Sequence, residues 1–392
     1  MNVCNQQMAC ADVFCPYLAC SFGAHIFNLH NQEMNIVTSG LIPHNVKLNI
    51  ILVSPPGLSK NESINRFIGK GKYSILTILD GTIDELPDGT DAPFCKVTGE
   101  ITSAGFVGTI KANSKDDDSD NNEEYGDAFI YRKGILAYTE IASLFNKSEH
   151  SQDLMNHILR VMGDNQIVKR LAHIDITHDT WVTIWGGIQP ARIVNIDNVG
   201  MDRRAMYIFH DWANEEIQKM KDFMVHKKTL QEIEDLKDDI QSLRLGIPNF
   251  IERVKLIDEI NWYFERKDFA SMPADINLIE GLSIGYALLH EEDIDIIDTT
   301  LHIRLTPELE KMIRDMQLMK DKLKLYEQLI IAIDKLQHEI STYDIWYSHM
   351  RRNGYTFSQT KDLLLKAHNL GFIDKKTKKG GFMWKIKSTP TV

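Results

Sequence analysis

Residues 47–61 read KLNIILVSPPGLSKN. Lys47 to Val53 is a short apolar run of the kind that makes a buried strand; Pro55, Pro56 and Gly57 turn the chain, and a helix starts at the lysine that follows. That order suits a nucleoside triphosphate. Backbone N–H groups of the loop and of the helix N-terminus face the phosphates, while a lysine ammonium reaches the outer ones. Phosphate contacts are therefore expected from Pro56, Gly57, Leu58, Ser59, Lys60, Asn61 and Glu62. The match to GxxxxGK[ST] is imperfect: Ser54 and Ser59 stand at glycine positions, and Asn61 replaces the hydroxyl that would ligate magnesium. Taken alone, the segment fits a plain strand-to-helix turn equally well.

Composition narrows the classes. The 392 residues, 43% of them hydrophobic, suffice for large cores in about two or three domains. No apolar run reaches the roughly 18 residues a membrane helix needs. No basic region precedes an apolar one at the N-terminus, so a signal peptide is not expected and a cytoplasmic protein is. Four of the five cysteines (Cys4, Cys10, Cys15, Cys20) fall in the first twenty residues. No CxxC pair occurs there, so buried or unpaired thiols are favoured over zinc ligation, and the odd count argues against a disulfide framework. The net charge of −11 is unevenly spread: residues 342–392 carry ten Lys/Arg against three Asp, leaving about −18 on the rest. An acidic body with a basic C-terminal module points to a local nucleic-acid contact.

Along the chain, residues 1–35 read as an apolar helix, and 36–110 as alternating strands and loops, including YSILTIL and EITSAGFVGTI. SKDDDSDNNEE (114–124) reads as a solvated acidic loop. GILAYTEIASLF (134–145) predicts a strand running into a turn, and SQDLMNHILRVMG (151–163) an amphipathic helix. IVKRLAHIDITHDT (167–180) predicts a β-hairpin, WVTIWGG (181–187) a buried strand, and MYIF (206–209) another. Strands alternating with helices around a phosphate loop predict a three-layer α/β nucleotide-binding core. After residue 210 the strand signal fades. Residues 212–245 read as one long charged helix closed by Gly246 and Pro248. Residues 308–341 read as a second, whose Leu309–Met312–Met316–Met319–Leu323 seam suits a helical bundle or a coiled coil. The tail reads helix, turn at Gly354, helix FSQTKDLLLKAHNLG, then a two-stranded wing FIDKKTKKGGFMWKI. A winged helix contacts DNA through its second helix or its wing, or serves as a protein-docking unit.

Four features follow the phosphate loop in order: ITSAGFVGTI; GILAYTEI, where Glu140 ends an apolar strand; IWGGIQP, where Gln189 ends another; and NVGMDRRAMYIF, with Arg203 and Arg204 just before a strand. A carboxylate at Glu140 can polarise the water that attacks a γ-phosphate, the Gln189 amide can lie near that phosphate, and an arginine can reach a neighbouring subunit's nucleotide. Each has a plainer reading. Glu140 could be a surface carboxylate, Gln189-Pro190 a turn, and the arginines partners of nearby acids. Their order after a phosphate loop favours the chemical reading.

This order resembles the ATPase module of the minichromosome maintenance (MCM) replicative helicases of the AAA+ superfamily. SPPGLSKN is similar to that family's phosphate loop, TSAGFVG to the segment entering its helix-2 insert, and GDAFIYRKGILAYTE to the run into Walker B. DLMNHILRVMGDNQIVKRLAHIDIT resembles its helix and pre-sensor-1 hairpin, WVTIWGGIQP its sensor-1 strand, and GMDRRAMYIF its arginine-finger segment, with Arg204 in the finger's place. The GGIQP segment is also similar to ATPases of virus and plasmid primase–helicases. The resemblance covers roughly residues 10–210 and is looser beyond.

It implies an AAA+ three-layer P-loop core (1–210), a helical lid or bundle (211–341) and a winged helix (342–392). ATP and Mg2+ are the implied cofactors, and single- or double-stranded DNA is the implied partner. A homo-oligomeric ring, such as a hexamer, follows from the arginine acting in trans, and an archaeal, viral or plasmid origin is in keeping. Catalytic roles fall to Glu140, Gln189 and Arg204. Lys169 and Arg170 on the hairpin are implied to track DNA, their plainer reading being a solvated strand face. Lys375, Lys376, Lys378 and Lys379 would contact DNA from the wing. Several departures put hydrolysis in question. Thr139 holds the Walker B aspartate position and Asn61 the loop hydroxyl position, altering both protein contributors to magnesium placement. Pro307 stands where a sensor-2 arginine is expected, with Arg304 and Arg314 close by, and no room is left for the family's N-terminal domain. A nucleotide-binding assembly factor with weak hydrolysis, or a DNA-binding regulator without nucleotide, are the rival classes.

Overall fold

The computed structural model describes residues 8–30, 46–69, 74–79, 83–99, 101–110, 123–141, 149–170, 175–189, 200–210, 212–226, 253–256, 273–290, 294–297, 300–316, 339–351, 355–369, 373–378 and 381–386, with scattered positions between 229 and 239. At its centre five strands pair in parallel: β1 (Asn49–Val53), β2 (Cys95–Thr98), β3 (Ile135–Tyr138), β4 (Thr183–Ile188) and β5 (Ala205–Phe209), in the order β2-β3-β4-β1-β5. Alternation along each strand separates two cores. Ile50, Leu52, Ala137, Trp185 and Met206 face one side, and Ile51, Val53, Leu136, Tyr138, Ile184 and Tyr207 the other.

The first side is covered by α1 (Cys15–His30) and α2 (Lys60–Ile68). Helix α1 is apolar nearly all round because it is buried all round. Two of its polar side chains bond toward the sheet: His25 bonds Thr183 Oγ1 (2.8 Å) and the Lys133 carbonyl (3.2 Å), and Ser21 accepts from Trp185 Nε1 (2.8 Å). Burial pushes His25 down to about 4, so it stays neutral. The second side is covered by Ser103–Val107 and by α3 (Glu149–Gly163). Two antiparallel hairpins stand off this layer, Gly108–Ile110 with Glu123–Tyr125, and Gln166–Arg170 with Asp175–Asp179. Tyr125 stacks on Phe129 (4.2 Å) and meets His178 edge-on (5.9 Å), which brings the two hairpins together.

Beyond the sheet lie α4 (Asn214–Val225), α5 (Pro273–Leu289) and a helix over 307–316; Leu278, Leu282 and Ile313 join the first core. The chain closes with Ile340–Ser341, a helical stretch over 342–350, α6 (Phe357–Asn369), and the strands Ile373–Lys378 and Gly381–Ile386. The last strand pairs antiparallel with both of the other two.

The structure corrects several sequence expectations. YSILTIL is not a strand: Leu76–Leu79 form a 3-10 turn. Within EITSAGFVGTI, Ser103–Val107 are helical, because Thr102 caps the turn by accepting from Gly105 N (3.0 Å); only Gly108–Ile110 are extended. Glu123 and Glu124, expected in a loop, pair in a strand. The helix starting near 212 ends at Val225, where His226 turns extended (φ −67°, ψ 119°). Strands recur after residue 210: Arg253–Leu256 pairs in parallel with Thr300–Ile303, which pairs antiparallel with Ile294–Ile297. The helix begun at 307 does not reach 341, since Ile340 pairs with Trp384 in a ladder. Residues 31–35, Gly246, Pro248, Gly354 and Lys379 lie outside the described residues.

Candidate functional site

Parallel strands discharge their loops at one edge, so Ser54, Gly99, Thr139, Gln189 and His210 all emerge at the carboxyl end of the sheet. Strand β1 is also where the sequence order of the sheet turns back, a place where open α/β sheets receive ligands. The loop after β1 is tied at its start. Ser54, fully buried, accepts from Trp212 Nε1 (2.9 Å) and donates to the Leu58 carbonyl (2.7 Å). Its hydroxyl thus uses the glycine position as a clasp. Gly57 (φ 77°) and Ser59 (φ 56°) are both left-handed, which coils the loop tightly before α2. Leu58 N and Lys60 N donate inside this coil, to the Pro55 (3.4 Å) and Leu58 (2.7 Å) carbonyls.

Lys60 is 5% exposed, at the head of α2. Groups from two segments far apart in sequence, Lys60–Asn61 and Thr139, meet around Gly187 of β4. A Cβ there would lie 2.7 Å from the Thr139 carbonyl, 3.0 Å from Asn61 Oδ1 and 3.3 Å from Lys60 Cε. Glycine leaves this junction open between the loop after β1 and the loop after β3. Beside it, Gln189 Nε2 donates to Glu140 Oε2 (3.3 Å), and both side chains are half-buried. The structure therefore brings Lys60, Asn61, Thr139, Glu140 and Gln189 to one edge.

A cleft of about 450 Å³ opens on the loop side of this edge, lined by Gly57 to Glu62, by Ala9 and Arg66 and, on its apolar wall, by Met8, Met220, Phe223 and Met224; Thr139, Glu140 and Gln189 do not line it. That volume is in the range of small-ligand sites. Sequence reasoning missed this wall. Its signal was present: Met220, Phe223 and Met224 make an apolar stripe on the otherwise charged α4.

Arg203 and Arg204 are not part of this cluster. They immediately precede β5, at the amino edge of the sheet. Arg203 is exposed; Arg204 is half-buried, its Nη1 donating to the Gly200 carbonyl (3.1 Å) and its own carbonyl accepting from Asn49 Nδ2 (2.8 Å). Asn49 also donates to Met162 O (3.3 Å) and accepts from Ile184 N (2.9 Å), while Lys47 Nζ donates to Val161 O (2.7 Å). Two polar residues of an apolar strand thus fasten the C-terminus of α3 to the sheet beneath the arginines. Lys169 and Arg170 lie in the hairpin that follows α3, paired with Ile176 and Asp175 at its loop end. On the C-terminal hairpin, Lys376 and Lys378 both reach Glu339 (2.9 and 2.6 Å), and Lys375 lies 4.5 Å from the Phe382 ring centroid.

Oxygen donors for a divalent cation are few. Asn61 Oδ1 and the Thr139 carbonyl are neutral, and Glu140 brings the one carboxylate of the cluster. This set fits a magnesium ion held mostly by phosphate oxygens and water. No protein-family model matches the chain, and no characterised protein matches it either.

Proposed function

We propose that this chain is an MCM-like AAA+ ATPase that works on DNA as a helicase or translocase in replication, in a homo-oligomeric ring. The observation that carries this reading is the meeting of Lys60, Asn61 and Thr139 around Gly187, with Glu140 and Gln189 beside it and a cleft that Lys60 and Asn61 line. In this reading the methionine-rich wall holds the base. The Lys60 ammonium neutralises the outer phosphates, reaching them from a largely buried position where its charge is weakly screened. Glu140 orients and polarises the attacking water, and Gln189, already bonded to Glu140, fixes the carboxylate and senses the γ-phosphate. Magnesium, held by Asn61 Oδ1 and, less directly, by the Thr139 segment, would spread the charge developing on the phosphates. Arg204, with Arg203 beside it, serves the neighbouring subunit's nucleotide. Lys169 and Arg170, on one of two touching hairpins, track DNA phosphates, and the C-terminal unit acts as a winged helix that adds Lys375, Lys376, Lys378 and Lys379.

A second reading has its own support. Asn61 and Thr139, the two positions altered relative to the MCM family's magnesium-placing residues, offer only neutral oxygens. That favours binding over turnover, as in an assembly factor. Magnesium-dependent ATP hydrolysis with and without single-stranded DNA, run beside Lys60→Ala and Glu140→Gln, separates the two. The motor predicts turnover that both substitutions reduce by about 10² or more. Nucleotide binding without turnover selects the assembly factor, and no binding overturns both.

A further inference from the structure

We propose that the C-terminal unit carries a stacking platform for single-stranded nucleic acid, separate from Lys376 and Lys378 of its hairpin. Tyr343, Tyr347 and Phe357 are 55%, 58% and 42% exposed, three of the seven large apolar side chains that stand out in this way among the described residues. Tyr343 and Tyr347 are one helical turn apart with ring planes 13° from parallel (5.9 Å between centroids). Trp346 lies 5.7 Å from Tyr343 and meets Phe357 edge-on at 5.9 Å. The core does not need the two tyrosines: Ile345 and Met350 fill the buried side of the same helix, and Trp346 is fixed by its Nε1 donating to the Tyr355 carbonyl (2.9 Å).

Cations interleave with these rings. The Arg351 guanidinium stands 5.6 Å from Trp346 and 5.8 Å from Tyr347. Lys361, one turn along α6 from Phe357, lies 5.8 Å from Phe382, whose other cation is Lys375 at 4.5 Å. The acid nearest in sequence, Asp344, is turned to Ser341 Oγ (2.6 Å). Rings alternating with cations, on a segment with ten Lys/Arg against three Asp, match a strand whose bases are unpaired. Bases stack on the rings and phosphates meet the cations. A duplex hides its base faces and would gain only from the cations. Lys376 and Lys378, bound to Glu339, lie on the opposite face of their strand from Lys375.

This inference shares with the proposed function its nucleic-acid partner and Lys375 and needs neither ATP nor a ring, so binding is measured without nucleotide. The full chain is titrated into fluorescein-labelled oligo(dT) and a duplex of equal length over a series of salt concentrations. The Tyr343→Ala/Tyr347→Ala variant is expected to lose about tenfold or more in oligo(dT) affinity, with the salt slope and duplex affinity unchanged. Tyr343→Phe/Tyr347→Phe should restore wild-type binding, and Tyr343→Leu/Tyr347→Leu, which keeps the bulk without a π face, should not. Wild-type oligo(dT) affinity in the alanine variant, equal losses on both DNAs, or full rescue by leucine would overturn the platform. So would a change in oligomeric state with DNA affinity intact, which would make the face a protein interface. If the alanine variant melts early, the phenylalanine–leucine comparison still decides.

Discussion

Gly187→Ala is the sharpest probe of the junction, because Gly186 next to it supplies a built-in control. Both glycines are buried in β4, but their missing side chains point to opposite faces. At Gly187 the added methyl meets the Thr139 backbone carbonyl at 2.7 Å, in a residue anchored by its own N–H to Thr98 O (3.1 Å). That carbonyl has nowhere to turn, and the next atoms met are Asn61 Oδ1 and Lys60 Cε. At Gly186 the first atoms met are the terminal methyls of Ile51 (2.8 Å) and Ile141 (2.9 Å), which can swing aside. Overpacking of this kind costs about 1–3 kcal/mol. At position 187 the displacement falls on the groups proposed to hold phosphate and cation. If most of it is felt there, nucleotide affinity drops by roughly 5- to 150-fold at 1.4 kcal/mol per decade. At position 186 the displacement falls on the second core, lowering stability while leaving the cleft unchanged. Urea unfolding and titration with a fluorescent ATP analogue read the two quantities separately. A folded Gly187→Ala protein that binds nucleotide within twofold of wild type would refute the junction, as would equal affinity losses in the two variants.

Burial pushes the Lys47 ammonium from its ordinary 10.5 down to about 7, with Asp164 pulling the other way. Between those values the unfolded chain binds more protons than the folded one, so stability should rise with pH, by at most about 1.4 kcal/mol per unit. Lys47→Met should flatten this slope in urea midpoints taken from pH 7 to 9.5; parallel slopes would show that Lys47 is not the group responsible. On the C-terminal hairpin, Lys376 and Lys378 hold the Glu339 carboxyl down to about 2. Glu339→Gln releases both ammonium groups, and duplex affinity at low salt should then rise about two- to fivefold. A fall in affinity would remove these lysines from the DNA contact.

Four strands of the sheet (β1, β3, β4 and β5) were legible because each is a short apolar run buried on both faces, a pattern with few competitors, whereas β2, half-buried along its length, was not picked out. The same logic misled at YSILTIL and TSAGFVG, where a local hydrogen-bonded turn, capped by Thr102 in the second case, outcompetes extension. The strands after residue 210 escaped notice because RVKL and IDII mix charge with apolar residues, TLHI is a run of only four residues, and the partner of RVKL lies tens of residues away. Lys60, Glu140 and Gln189 could be picked out since strand-end chemistry is local. Gly187 could not: its importance is a close approach between loops from three strands, which no window of sequence contains. Asn49 did leave a trace, as a polar residue inside an apolar run, and the structure turns it into the bolt under Arg204.

The two edges of the sheet carry different halves of the proposed chemistry. β1 and β5 pair in parallel, Asn49 with Ala205 at one end and Val53 with Phe209 at the other. Lys60 follows the carboxyl end of this pair and Arg204 precedes the amino end, so five residues of strand separate their levels, about 16 Å of rise. A guanidinium bonded to Gly200 and seated over Gly163 does not cross that distance by changing rotamer. If arginine is to stabilise charge at the phosphates, the amino edge of one copy must face the carboxyl edge of another. Such a contact is head-to-tail, and head-to-tail contacts repeat until they close into a ring or extend as a filament. Both hairpins connect to strands at that same amino edge, so contacts that closed such a ring would also set the position of Lys169 and Arg170 relative to the neighbouring subunit. Nucleotide state and DNA grip would then be coupled through the short path from Gly163 through Asn49 to Arg204, which Lys47 and Asn49 hold rigid against the end of α3.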